Sequence, residues 1–345
     1  MNNRMNRWHQ LPKVDLHVHL DGSLLPATVL DIAAAEGIEL PAHDAAGLIP
    51  YMQVDDECRS LPEYLSKFGF TTRFMQSGAA LERVAYETLA QAASHNCRYI
   101  EVRFAPQLHR LRGLRPEEAI HHVIEGMKRA EQQFDIKGRA IAICMRHHGR
   151  EDNLEVIESA ARYAGRGLVA VDLAGDEASY PPELFREVFA LAHKRSLPVT
   201  IHAGEAAGAE NVYEAVKNLG ASRIGHGVRL RENPAILQMM LEQRIPLEMC
   251  PVSNIQTKAV ADWGVYPIRD YFDQGLIVTL NTDNPSVSGT DITREYRIVS
   301  EKFDFTDAEL ASIIRNGVNA AFLEESEKKA LKQRVDQELQ ALGIK

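Results

Sequence analysis

Eight short, nearly unbroken apolar runs recur along the chain, at residues 14–20, 97–105, 139–145, 168–174, 198–202, 223–227, 245–250 and 276–281. They are rich in Val and Ile and apolar at both alternations, as strands buried on both faces should be. Between them, residues 81–94, 116–133, 154–163, 182–194, 211–218, 234–243 and 267–273 carry apolar positions at helical spacing. Several of these stretches open with proline, which suits a first helical turn. Strands alternating with helices require parallel pairing and right-handed crossovers. Eight such units in 345 residues predict one closed (β/α)8 TIM barrel of the α/β class, spanning 1–345 as a single domain. A doubly wound open sheet would show a G-x-G-x-x-G turn after its first strand, and none is present.

The first crossover, about 21–96, is too long for a simple unit and must hold additional helices. Within it Leu61, Tyr64, Leu65 and Phe68 fall at i, i+3, i+4 and i+7, one apolar helix face. Such a face serves either as packing on the barrel or as a lid over a flat substrate. Residues 324–345 read as a charged C-terminal helical extension packed in solvent.

Composition narrows the partners. A net charge of −9 disfavours nucleic acid and anionic membranes and suits a small neutral substrate. No apolar stretch approaches the ~18 residues of a membrane span, and the first ten residues lack the apolar core of a secretory signal. Cys58, Cys97, Cys144 and Cys250 form no C-x-x-C pair, so they read as reduced, buried thiols of a cytoplasmic protein.

The chemistry lies in the polar residues that interrupt the strands. His17 and His19 are two apart on strand one and face the same way. Strand five ends in His202, with Glu205 three residues on; strand six carries His226; Asp283 follows strand eight. Each alone has an ordinary structural reading, as a core histidine or a turn aspartate. Together they meet at the C-terminal rim of a barrel, where active sites form. His147 and His148 follow strand three and read as loop residues, and His121, His122 and His193 as solvated helix faces. Three imidazoles and one carboxylate (His17, His19, His202, Asp283) suit one zinc ion per chain, with iron, cobalt or manganese fitting the same donors. Zinc lowers the pKa of bound water from about 15.7 to about 7. Hydrolysis at such a centre also needs an acid that delivers a proton to the substrate. Glu205 fits that role if burial keeps it protonated, while His226 and Asp283 orient the attacking water.

Six segments, PKVDLHVHLDGSL (12–24), VDLAGDE (171–177), IHAGE (201–205), RIGHG (223–227), CPVSN (250–254) and LNTDNP (280–285), together resemble the adenosine deaminases of the amidohydrolase superfamily. The resemblance runs in order from about 12 to 321. It implies His17, His19, His202 and Asp283 as zinc ligands, Glu205 as the N1 proton donor and His226 as the residue positioning the hydroxide. It further implies that Asp21 contacts ribose, that the Gly175 N–H meets purine N3, and that Leu61, Tyr64, Leu65 and Phe68 form the lid. One departure stands out: the family carries two aspartates after strand eight, and here the second is Asn284. An amide donates at any pH, so the contact to purine N7 is expected to survive without a shared proton.

Related enzymes acting on adenine carry Glu in place of the Asp of HLDG, and a relative acting on N6-methylated AMP carries Asn. Asp21 therefore favours a nucleoside, adenosine and 2′-deoxyadenosine, over adenine or a 5′-phosphate. A 5′-modified adenosine is an alternative substrate. The H-x-E and P-C-x-x-C motifs of the small zinc deaminases are absent. Strand four, LVAVDLAG, lacks the lysine of dinuclear relatives. A silent zinc-binding protein on the same fold is the rival of a different class. Glu205 and His226, which do not serve the metal on this reading, argue against it.

Overall fold

The structure, a computed structural model, describes residues 7–55, 58 and 61–344. The first six residues, part of the stretch read for a signal, and Lys345 lie outside the described residues. All eight expected strands form: β1 (Lys13–His19), β2 (Cys97–Phe104), β3 (Lys137–Met145), β4 (Leu168–Ala174), β5 (Thr200–Ala203), β6 (Arg223–His226), β7 (Leu247–Met249) and β8 (Val278–Leu280). They pair in parallel and in sequence order as two four-stranded sheets, β1 to β4 and β5 to β8. Single bridges, Val171 with Val199 and Val18 with Asp283, join the sheets at both edges. The sheet therefore closes on itself, and the barrel expectation holds.

The long first crossover carries α1 (Pro26–Glu36), α2 (Ala45–Met52), α3 (Leu61–Leu65), α4 (Phe68–Thr71) and α5 (Gly78–Ser94). Around the rest of the barrel follow α6 (Pro116–Glu131), α7 (Arg150–Ala161), α8 (Arg186–Lys194), α9 (Ala209–Lys217), α10 (Pro234–Gln243), α11 (Pro251–Gln256) and α12 (Ile268–Asp273). After β8 come α13 (Pro285–Ser288), α14 (Ile292–Lys302), α15 (Asp307–Ala320) and α16 (Glu325–Ala341). Local signals place several ends. Ser77 caps α5 through the Ala80 N–H (3.3 Å), proline opens α6 and α10, and Thr306 with Glu309 forms a capping box on α15.

Two expectations need correction. The single helix face over 61–68 is split into α3 and α4. Ser66 and Lys67 donate to carbonyls only three residues back (3.2 and 3.3 Å), and the Ser66 hydroxyl also takes the Glu63 carbonyl, so the α-helical ladder is interrupted there. The C-terminal helix is not merely solvated. Val335 and Leu339 are buried in the main core, and Glu338 pairs with Arg98 at 2.9 Å. All four cysteines are buried, and Cys97, Cys144 and Cys250 are free thiols. Among the described residues no helix is long and apolar enough to cross a membrane.

Candidate active site

At the C-terminal ends of the strands the expected side chains converge. His17, His202, His226 and Asp283 each bring one ligating atom within 4.8 Å of the others. His19 joins them: its Nε2 lies 3.2 Å from His202 Nε2 and 3.3 Å from Asp283 Oδ1. Four imidazoles and one carboxylate thus surround one point. Local backbone geometry puts them there. His226 and Asp283 both adopt positive φ, 65° and 61°, a conformation that non-glycine residues hold only when the surroundings enforce it. For Asp283 the enforcement is the barrel seam itself: its N–H donates to His17 O and its carbonyl accepts from the His19 N–H, both at 2.7 Å. Gly225 is required beneath the imidazoles, since a Cβ there would lie 3.0 Å from His17 Cε1 and 3.2 Å from His202 Cα.

Hydrogen bonding separates the roles of the rings. His17 Nδ1 donates to Glu248 (2.8 Å) and His202 Nδ1 to Asp172 (3.0 Å), so both rings present Nε2 lone pairs to the centre. His226 differs. Asn254 Oδ1 accepts from the Tyr266 phenol (3.1 Å), which turns the Asn254 amide N–H to His226 Nδ1 (2.9 Å). With the amide assigned this way, His226 carries its proton on Nε2, 3.6 Å from Glu205 Oε2. Proximity alone would group His226 with the metal donors ahead of His19; its protonation state makes it a hydrogen-bond donor instead.

The donor set fits a divalent cation. His17 Nε2 is buried without a hydrogen bond although Asp283 Oδ1 lies 3.4 Å away. A lone pair and a carboxylate oxygen facing each other in this way suit two donors sharing a cation. Burial would raise the Asp283 carboxyl, but the contact with His17 and the neighbouring His17 and His19 rings hold it well below the usual carboxylate range.

Beneath the imidazoles lies a buried ion network that sequence reasoning missed. Arg103 binds Asp172 (2.9 Å), Glu248 (2.7 Å) and the Leu16 carbonyl (2.7 Å). Arg223 binds Glu248 (2.6 Å) and Glu101 (2.5 Å). Counting Asp283, two guanidinium groups face four carboxylates, leaving two negative charges for a dication to balance. The signal was visible as charged residues inside strands otherwise buried on both faces.

Above this floor is a cavity of about 530 Å³, lined by every expected substrate residue: Asp21, Leu61, Tyr64, Leu65, Phe68, Gly175 and Asn284. Glu205, Asp283, His19 and His202 line it as well. Burial pushes the Glu205 carboxyl up to about 8, with the Asp283 and Glu177 charges adding and a Thr257 hydroxyl (3.2 Å) opposing. Burial also raises Asp21 to about 6, and its Oδ1 has no protein partner. Tyr64 is more than apolar lid: its phenol meets Ser288 Oγ at 2.6 Å. His147, expected as a loop residue, also lines the cavity. His121 and His193 are exposed, whereas His122 is half-buried against Glu82 (2.8 Å).

Comparison with known proteins agrees with this geometry. The family model for adenosine deaminase matches residues 12–338. An adenosine deaminase of Clostridium botulinum (strain 657) is 43% identical over 327 residues, covering 95% of this chain and 99% of that one. Among solved structures, an adenine deaminase from Arthrobacter aurescens superposes with a TM-score of 0.89 at 26% identity, covering 96% of this chain and 99% of its own. A zinc-bound amidohydrolase from Burkholderia ambifaria also gives 0.89, at 25% identity over 99% and 95% of the two chains. A family match over nearly the whole length, joined to a rim of imidazoles and carboxylates on a closed barrel, establishes that this chain belongs to the adenosine deaminase family.

Proposed function

We infer that the protein deaminates adenosine to inosine, and 2′-deoxyadenosine to 2′-deoxyinosine, with release of ammonia. One observation carries the reading. A carboxyl group that is protonated at neutral pH, Glu205, sits beside a cluster of imidazoles and an ionised carboxylate in a cavity of nucleoside size. On this reading His17, His19, His202 and Asp283 hold one zinc ion, which when bound lowers the pKa of water into the neutral range. The zinc-bound amidohydrolase neighbour supports that choice of metal.

The chain's own groups do the rest. His226 Nε2–H and Asp283 orient a water toward C6, and Asp283 takes its proton. Glu205 donates to N1, which makes C6 more electrophilic. The Gly175 N–H, for which no acceptor is found among the described residues, meets N3, and the Asn284 amide donates to N7. Asp21 accepts a ribose hydroxyl; its carboxylate disfavours a 5′-phosphate. Leu61, Leu65 and Phe68 cover the base and exclude water. Residues 1–345 act as one barrel domain with its lid within about 21–96. The reduced thiols fit a cytoplasmic enzyme of purine metabolism.

The test is the loss of the adenosine absorbance band on a panel of adenosine, 2′-deoxyadenosine, adenine and AMP, with and without chelator. Turnover of the two nucleosides, abolished by chelation, is expected. The adenine deaminase neighbour makes adenine the informative competitor: turnover of adenine but not adenosine would overturn the substrate assignment.

A further inference from the structure

The two groups assigned to opposite sides of the C2 edge of the purine, the Gly175 N–H at N3 and the Glu205 carboxyl at N1, stand on different loops. Gly175 follows β4 and Glu205 follows β5. Strands β4 and β5 belong to different sheets, and among the described residues a single bridge, Val171 with Val199, joins them. The loops above this seam need another tie.

Glu177 supplies one. It lies two residues after Gly175, is 2% exposed, and reaches across to the β5 loop. Its Oε1 accepts from the Gly204 N–H (2.7 Å) and from Asn211 Nδ2 (3.1 Å). Its Oε2 accepts from the N–H groups of Glu205 (3.0 Å), Ala206 (2.8 Å) and Ala207 (3.0 Å). Four consecutive backbone amides therefore converge on one buried carboxylate, the kind of backbone cradle that binds anions. Gly204 makes the cradle possible at φ 69°; a Cβ there would lie 2.8 Å from Val212 Cγ2. The opposite face of the loop is held by Arg229, whose N–H donates to Gly204 O and whose Nη1 donates to Ala206 O, both at 2.9 Å. Among the described residues no Lys or Arg forms an ion pair with Glu177. Its hydrogen-bond partners are the cradle amides and Asn211.

We propose that Glu177 is a positioning residue that clamps the β4 loop to the β5 loop, fixing the separation between the N3 donor Gly175 and the N1 acid Glu205. This rests on the deaminase reading above and adds to it. N1 and N3 belong to one rigid ring, so the two donors must keep one spacing to be engaged together. An error of about 1 Å at such a contact costs on the order of 100-fold in rate. The Glu177 charge also disfavours ionisation of Glu205.

The test is Glu177→Gln in the metal-loaded protein, which keeps the shape but turns an NH2 group toward part of the cradle. The expected result is a fall in kcat of about 30- to 300-fold, with KM within about threefold and with thermal midpoint and metal content near wild type. A purely structural role is separated by 3-deazaadenosine, which presents C–H at N3, used as a competitive inhibitor against adenosine. The wild type should discriminate between the two ring types, and Glu177→Gln should lose most of that discrimination. An intact kcat in Glu177→Gln, or discrimination unchanged while kcat falls, overturns the clamp. If Glu177→Gln does not fold, Asn211→Ala removes one of the five bonds from the side away from the cavity. Its kcat should fall roughly two- to fivefold at constant KM, and an unchanged kcat overturns the proposal. Wild-type protein inert toward adenosine would instead overturn the deaminase reading, and the clamp with it.

Discussion

The state of Glu205 sets a pH limb that can be measured. At a pKa of about 8, roughly nine-tenths of the molecules carry the proton at pH 7; at the ordinary glutamate value of about 4.3 only ~0.2% would. The environment therefore raises the competent fraction by a few hundred-fold, or roughly 4 kcal/mol at 1.36 kcal/mol per unit. Because the protonated form is the active one, kcat/KM should be level below about pH 8 on this limb and fall about tenfold per unit above it. The Thr257 hydroxyl bonds Glu205 Oε1 and favours the ionised form, so Thr257→Val should move the limb to higher pH. Glu205→Gln should keep the metal and lose about 10²- to 10⁴-fold in kcat. Steady-state rates by absorbance from pH 5 to 10 on the three proteins would decide it. A Thr257→Val limb that stays in place or moves down, or a Glu205→Gln variant within tenfold of wild type, would refute the reasoning.

Three further outcomes follow from the packing. Gly225→Ala wedges a methyl 3.0 Å from His17 Cε1 and 3.2 Å from His202 Cα, inside the normal ~3.5–4.0 Å carbon contact. Chelator competition should show metal affinity weakened by about 10- to 100-fold, and an unchanged affinity would mean His17 is not a ligand. Asn284→Asp should add a new pH dependence, since the carboxyl must hold a proton to donate to N7; identical activity and pH profiles would remove Asn284 from the N7 contact. Glu295 is buried and raised to about 8 by desolvation. An acid raised in the folded state costs stability as pH climbs from its unfolded value of about 4 toward 8, because the unfolded chain sheds the proton first. Glu295→Gln can still bond Thr290 and the Val252 N–H, so urea denaturation should show it gaining stability over wild type at pH 8 and little at pH 4. A gain equal at both values would contradict the sign.

Local pattern was enough for the scaffold and for the rim. Strands β1 to β8 were legible because side-chain direction along a strand has a fixed period, and a run apolar at every position can only be buried on both faces. His17, His19, His202, His226 and Asp283 stood out as polar breaks at the ends of such runs. The family motifs around them carried Asp21, Gly175 and Asn284, helical spacing picked out Leu61, Tyr64, Leu65 and Phe68, and all seven line the cavity. What tertiary structure decided was the state of those groups. Glu205 is an acid at neutral pH because distant segments close over it and place Asp283 and Glu177 nearby. His226 is a donor because Asn254 and Tyr266, from other elements, set its tautomer. Arg103 finds Asp172 and Glu248 across 69 and 145 residues of chain, and Glu177 finds its amides across 27 to 30. Periodicity is a property of neighbours along the chain, whereas protonation, charge balance and hydrogen-bond direction depend on dielectric and partners in space, which exist only once the barrel has closed.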